Sequence, residues 1–375
     1  MSAPSNVLES LEAVASGPIA QHAARVDADA AFPQASLDAL AEAGFFGLLS
    51  SPDVGGAGGS LRDAAQVVER VATECGSTAM VLMMHYCGTA VIEKHGPEAL
   101  RKEIAGGGHL STLAFSEAGS RSHFWAPVST ATKTSDGIRL EAHKSWVTSA
   151  HHATGYVWSS KPVAGEGAST IWYVPRTADG LEIVGEFDGM GLRGNDSSPV
   201  EASGVTIPEH FRLGDDGAGF DVMMGVVLPN FNVLNAAVGV GLMRGATRNT
   251  VAAVSPARYE YTGGALRDLP TIRAYVARMQ IATDATASLV ADTISAIEGG
   301  REDTMLRVLE AKAAAGETST QVLDLAMRVC GGGAFRREGG VDRYFRDGRA
   351  AGVMAPTTDV LYDFIGKALT GMELF

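Results

Sequence analysis

Two runs decide the reading of this chain: Phe115-Ser116-Glu117-Ala118-Gly119-Ser120-Arg121-Ser122 and Lys144-Ser145-Trp146-Val147-Thr148-Ser149. The first is a polar, glycine-containing loop leaving an apolar strand. Its backbone N–H groups can donate to phosphate or to the oxygens of a pyrimidine-like ring. In the second, Trp and Thr stand two residues apart. On a strand that spacing places a stacking face and a hydroxyl on one side. Read singly, the first run is a serine-rich turn, and a Trp on a sheet face belongs to the core more often than to a ligand site.

Outward from these runs the sequence divides in three. Residues 1–110 are nearly all helical. An Ala-rich start breaks at Phe32-Pro33. Ser36–Gly44 reads as a short helix, with Ser36 as N-cap and Gly44 just past its end. Helical spacing follows over 61–78, 79–95 and 97–105. The glycine-rich loop Pro52–Gly59 lacks the Lys-Ser/Thr of a phosphate-binding loop and reads as structural. Residues 111–215 favour strands, at 111–116, 128–134, 138–143, 156–160, 169–174, 181–185 and 200–207, with turns between them. Residues 216–375 return to helix, at 218–251, 266–299, 302–330 and 356–372, punctuated by glycine pairs and a triplet. The fold class is α+β, with two helical blocks around an antiparallel β-domain.

Composition narrows function by exclusion. The formal net charge of −13 over 375 residues argues against a nucleic-acid partner. The three cysteines, Cys75, Cys87 and Cys330, contain no CxxC pair, which disfavours a disulfide framework or a structural zinc. The first residues lack the features of a signal peptide, and no uninterrupted apolar run reaches a membrane span. These readings predict a cytoplasmic protein with no membrane partner. No nucleophile motif and no metal-spaced cluster is present, and His151-His152 reads as a solvated loop pair. The arginines Arg258, Arg336, Arg337, Arg343, Arg346 and Arg349 read mostly as surface or interface ion pairs, with one or two able to hold a pyrophosphate.

Taken in order, the motifs resemble those of the acyl-CoA dehydrogenase superfamily over nearly the whole chain. Ser116-Glu-Ala-Gly-Ser-Arg-Ser122 is similar to its Thr-Glu-Pro-Gly-Ala-Gly-Ser run, and Lys144-Ser-Trp-Val-Thr-Ser149 to its Lys-x-Trp-Ile-Thr-Asn run. Met190-Gly-Leu-Arg-Gly194, Gly331-Gly-Gly-Ala-Phe335 and Phe345-Arg-Asp347 resemble its later segments. The resemblance implies an N-terminal helical domain, a middle β-domain and a C-terminal four-helix bundle. It implies bound FAD and a homo-oligomer, a dimer or the family's usual homotetramer. The substrate would be an acyl-CoA or acyl-carrier-protein thioester, with an electron-transfer flavoprotein or O2 as acceptor.

Residue by residue, the resemblance assigns Phe115 and Ser116 to the flavin pyrimidine and Ser122 to the pyrophosphate. Trp146 would lie beside the isoalloxazine, with Thr148 donating towards N5. Arg258, Gly331 and Gly332 would reach a neighbouring subunit's FAD, and Thr357 would stand beside the flavin. The family's catalytic Glu is absent from both of its usual positions, which here are Ala355 and Phe231, and a family Arg is replaced by Asn232. A neutral side chain cannot act as general base. Asp359, His85, His123, His151 and His152 are the other titratable candidates. Two alternatives accompany the thioester oxidoreductase: a flavin monooxygenase or N-oxygenase of the same fold, and a non-catalytic relative.

Overall fold

The computed structural model describes residues 3–120 and 123–374. Its helices of eight or more residues are α1 (Ala20–Ala28), α2 (Gln34–Glu42), α3 (Leu61–Ala72), α4 (Gly76–His95), α5 (Glu98–Ala105), α6 (Leu228–Val254), α7 (Pro270–Gly299), α8 (Thr304–Cys330), α9 (Val341–Gly348) and α10 (Thr358–Thr370). Seven strands lie between α5 and α6: β1 (Ser111–Ala114), β2 (Thr130–Lys133), β3 (Ile138–Val147), β4 (Gly155–Ser160), β5 (Thr170–Pro175), β6 (Leu181–Ile183) and β7 (Ser198–Ile207). Every strand foreseen from alternation and turns is present.

The strands form two sheets, ordered β1-β4-β5 and β2-β3-β7-β6. The antiparallel expectation holds for every pair but one, since β1 and β4 are parallel. The hairpin β2–β3 belongs to the other sheet, so it serves as the crossover that parallel neighbours require. The turn after β3 returns the chain beside the start of β1. There Thr154 N donates to Leu110 O at 2.8 Å, and its Oγ1 accepts from Leu110 N at 3.1 Å.

Side-chain alternation along β4 and β5 makes their sheet a shared wall. Tyr156, Trp158, Trp172 and Val174 fill the space between the two sheets. Val157, Ile171 and Tyr173 face the opposite way and join the core of the helices. A period of two on a strand buried on both faces has this result. One end of that wall, just past β1, opens on the site described below.

In the C-terminal block α6, α7 and α8 pack on one another, and α10 on α8. Within the helical run Gly219–Val254 one 18-residue window, of mean hydropathy 1.5, is apolar enough to cross a membrane by length and composition. That window is 89% buried within the protein, as part of the core helix of the bundle. Ser36 is not the expected N-cap: it lies buried inside α2, and Pro33 precedes the helix. Gly44 does take the left-handed backbone expected past a helix end, at φ +85°. The Pro52–Gly59 loop is structural as read: a Cβ on Gly56 would lie 2.1 Å from Ser50 O.

Candidate functional site

β1 delivers Phe115 into the interior and then turns. The turn is held by a buried ion pair between Glu117 and Lys144, both without side-chain exposure. Glu117 Oε2 also accepts from Val128 N at 2.6 Å and Ser129 N at 3.0 Å, and Oε1 from Ser129 Oγ at 2.6 Å. Lys144 Nζ donates to Ser159 O at 2.7 Å and to Ser159 Oγ at 3.0 Å, and lies 5.0 Å from the Trp158 ring centre. Burial disfavours the Glu117 carboxylate, yet Lys144 and the three donors hold its pKa below the ordinary value. Burial pulls the Lys144 ammonium down to about 8, against the attraction of Glu117. A Ser145 N–H donates to Ser116 O at 2.9 Å, so the two runs quoted first lie side by side.

The second run departs from the sequence reading. Strand register slips between Lys144 and Val147, and Trp146 sits in the bulge with left-handed backbone, φ +57°. Trp146 and Thr148 are therefore not successive residues of one strand face, since a bulge redirects the side chains that follow it. The slip turns the indole out, 69% exposed, while Thr148 is buried with its Oγ1 3.1 Å from Ser197 Oγ.

Both runs open on a cavity of about 620 Å³, within the range of small-molecule sites. Its wall draws on all three blocks of the chain: Met84 on α4, the two β-domain runs, and residues 227–231 and 350–355 of the C-terminal block. Phe115, Ser116, Trp146 and Thr148 all line it, and so do Phe231 and Ala355. Arg258, Gly331 and Gly332 do not: they are exposed and stand apart from it within one chain. Thr357 is also outside the wall and acts as N-cap of α10, accepting from Val360 N at 3.5 Å. Ser122 lies outside the described residues.

Sequence reasoning missed Asn195 and Ser197 on the wall. Their signal was the polar run Asn195-Asp196-Ser197-Ser198 just after Met190-Gly-Leu-Arg-Gly194. The Asn195 Oδ1 is buried without a partner.

The titratable candidates fall away from the cavity. His85 is fully buried between Phe46 O at 3.0 Å and Ser111 N at 3.1 Å, and burial lowers its pKa to about 4. His151 and His152 stand in a turn as read, half-buried and exposed in that order, and both are engaged. His151 Nδ1 meets Asp196 Oδ1 at 2.8 Å, and His152 stacks on Phe32 at 3.8 Å. Asp359 is exposed on α10, and His123 is exposed beside Trp125. Among the described residues, Glu117 is the one carboxylate in the cavity wall, and Lys144 engages it.

A second knot fixes the wall from outside. Arg346 grips Asp27 through its two terminal guanidinium nitrogens, at 2.6 and 2.5 Å, and donates to Met190 O at 3.2 Å. Asp347 Oδ1 accepts from the N–H of Leu192, a wall residue, at 2.6 Å. Asp27, Met190 and Arg346 belong to the three successive blocks, so one cluster ties all of them together.

Three consecutive domain models of one family match the chain: acyl-CoA dehydrogenase N-terminal domain over residues 5–107, middle domain over 112–205 and C-terminal domain over 217–370. The chain belongs to the acyl-CoA dehydrogenase superfamily. Among its relatives is a probable acyl-CoA dehydrogenase, YngJ, of Bacillus subtilis, 25% identical over 371 residues and covering 97% of each chain. Another is a cyclohex-1-ene-1-carbonyl-CoA dehydrogenase of Syntrophus aciditrophicus, 26% identical over 370 residues, covering 97% of this chain and 89% of the relative. The fold matches that of butyryl-CoA dehydrogenase from Megasphaera elsdenii, with TM-score 0.91, 20% identity and coverage of 99% and 98%. It also matches the prolyl acyl carrier protein oxidase AnaB, with TM-score 0.85, 16% identity and coverage of 96% and 98%.

This acyl-CoA dehydrogenase-like enzyme has FAD as its family cofactor, and the cavity fits that group. A flat ring with one polar edge needs neutral hydrogen-bonding groups at one side and apolar contact elsewhere. Ser116, Thr148, Ser197 and the unpartnered Asn195 Oδ1 supply the first; Leu113, Phe115 and Leu192 supply the second. The indole of Trp146, held outward by its bulge, supplies a free aromatic face.

Proposed function

We propose that this protein is an FAD-dependent oxidoreductase acting on an acyl thioester without a carboxylate base at either familiar position. One observation carries the reading: the wall that fits FAD also contains Ala355 and Phe231. FAD, when bound, supplies a two-electron acceptor. Ser116, Thr148, Ser197 and Asn195 would hold its polar edge, and Trp146 would cover part of it. The apolar remainder of the wall would take the acyl chain, from which a hydride equivalent would leave.

No wall side chain among the described residues is a free proton acceptor. Glu117 is already satisfied by Lys144 and Ser129. The proton leaving the acyl group therefore passes to water or to a substrate-borne group, or the substrate is one whose oxidation needs no α-proton abstraction. The CoA and carrier-protein forms of the thioester are both retained in this reading. Asn232, where the family has an Arg, is fully buried and donates to Val308 O at 3.2 Å, so it offers nothing to a charged substrate handle. We assign Arg258, Gly331 and Gly332 to contact with the cofactor of a neighbouring copy in a homo-oligomer, which accords with their exposure.

Anaerobic titration of the FAD-loaded protein with a panel of acyl-CoA and acyl-carrier thioesters tests the proposal. Flavin bleaching without NAD(P)H is the expected result. The missing carboxylate also suits an oxygenase, which needs no such base. Bleaching by no thioester, together with oxygen uptake dependent on a flavin reductase, would replace the first reading with that one.

A further inference from the structure

Behind the wall at Phe231 and Ala355 stands a cation with no part in the chemistry above. Lys312 lies in the middle of α8 and has no solvent exposure. Its ammonium donates to three main-chain carbonyls of one short segment: Ala351 at 3.2 Å, Met354 at 3.0 Å and Pro356 at 2.7 Å. The Phe231 ring centre is 6.0 Å away. No carboxylate among the described residues pairs with it.

The same segment is caught a second time. Asn235, buried on α6, donates Nδ2 to Met354 Sδ at 3.7 Å. One turn earlier Asn232 donates to Val308, one turn before Lys312 on α8. The Oδ1 atoms of both asparagines are buried without partners. A polar nest therefore backs a stretch whose other side, at Ala350, Val353, Met354 and Ala355, lines the cavity.

The chemistry suits a grip. An ammonium has three N–H donors, and three carbonyls take all of them. The acceptors lie where the chain leaves one short helical turn and approaches α10, so most of their helical partners are missing. Without Lys312 they would be buried and unpaired, which chains avoid by moving. Burial pulls the ammonium down to about 7, and the carbonyls favour its charged form.

We propose that Lys312 is a positioning residue: its three-point grip sets where Met354 and Ala355 stand against the flavin and the acyl group. Its effect on turnover rests on the function proposed above, whereas the grip itself does not.

The test compares full-length, FAD-loaded wild type with Lys312→Met, which removes every donor, and Lys312→Gln, which keeps two. Three quantities are read: amide hydrogen exchange across residues 351–355, the visible circular dichroism of bound FAD, and the rate of anaerobic flavin reduction by an acyl thioester. In Lys312→Met, exchange in 351–355 rises at least tenfold while α6 amides keep their protection. The flavin dichroism changes, and reduction slows at least tenfold with thioester KM within threefold. Lys312→Gln falls between, and decides alone if the Met variant does not fold. Unchanged exchange at 351–355, or loosening spread evenly over the bundle, overturns the proposal. If exchange moves as stated but no thioester reduces the wild type, the grip stands and the thioester reading fails. If thioesters reduce both proteins equally and exchange does not move, the reading stands and the grip fails.

Discussion

Lys144 and Glu117 meet in a chamber closed to solvent, one from the bulged end of β3 and the other from the loop after β1. The pair joins the two runs that frame the cavity mouth. Removing one partner of such a pair leaves a buried charge uncompensated, at a cost of about 3–5 kcal/mol. Lys144→Met is expected to lower unfolding free energy by about that amount in denaturant titration, and to abolish FAD binding measured by flavin fluorescence. A variant of wild-type stability would show that the pair does not hold the loop.

Trp146 gives the opposite pattern. Its ring is 69% exposed, so Trp146→Ala removes little packing. The expected change in unfolding free energy is within about 0.5 kcal/mol. Loss of an aromatic face against a flat ring is worth about 0.5–1.5 kcal/mol beyond area burial. FAD affinity in equilibrium titration should therefore drop by about tenfold, and an unchanged affinity would remove Trp146 from the cofactor site.

Ala355→Glu places a further carboxylate in the wall. If proton abstraction limits flavin reduction by thioester, a positioned base contributes about 10²–10⁴-fold. Stopped-flow reduction by an acyl thioester should accelerate within that range. No gain in the folded, FAD-loaded variant would mean that the substrate does not yield an α-proton here.

Asp347 predicts a pH effect on stability. Burial raises its pKa to about 6, against the attraction of Arg343 and Arg346. The folded state thus holds a proton that the unfolded chain releases near 4. Its contribution to stability is complete below pH 4 and is lost as pH rises to 6. Asp347→Asn keeps an acceptor for Leu192 N–H and removes the titration. The difference in unfolding free energy between wild type and Asp347→Asn should shift by about 2 kcal/mol between pH 4 and pH 7, with the variant relatively more stable at the higher pH. A flat difference curve would place the Asp347 pKa near its ordinary value.

The strands and long helices were legible because local signals agree with burial. β3 alternates buried and exposed residues over most of its length, and Gly137 and Gly180 mark turns with positive φ. The bulge at Trp146 was not legible, since a register slip depends on the partner strand and not on the residues that carry it. Phe115, Ser116 and Thr148 line the cavity, while Thr357 caps α10 outside its wall. Lys312 left a faint trace in Ala311-Lys312-Ala313-Ala314-Ala315-Gly316. A long cation among small residues in a helix signals close approach of another backbone, but its three carbonyl partners appear only in the folded chain.

Because Asp27, Met190 and Arg346 lock three successive blocks together around one cavity, no single block of this polypeptide carries a whole wall. Synthesis must pass Ala355, the last wall residue, before the first flavin can lodge. The yellow fraction of a preparation is then a census of finished molecules, and truncated or half-folded copies should stay colourless.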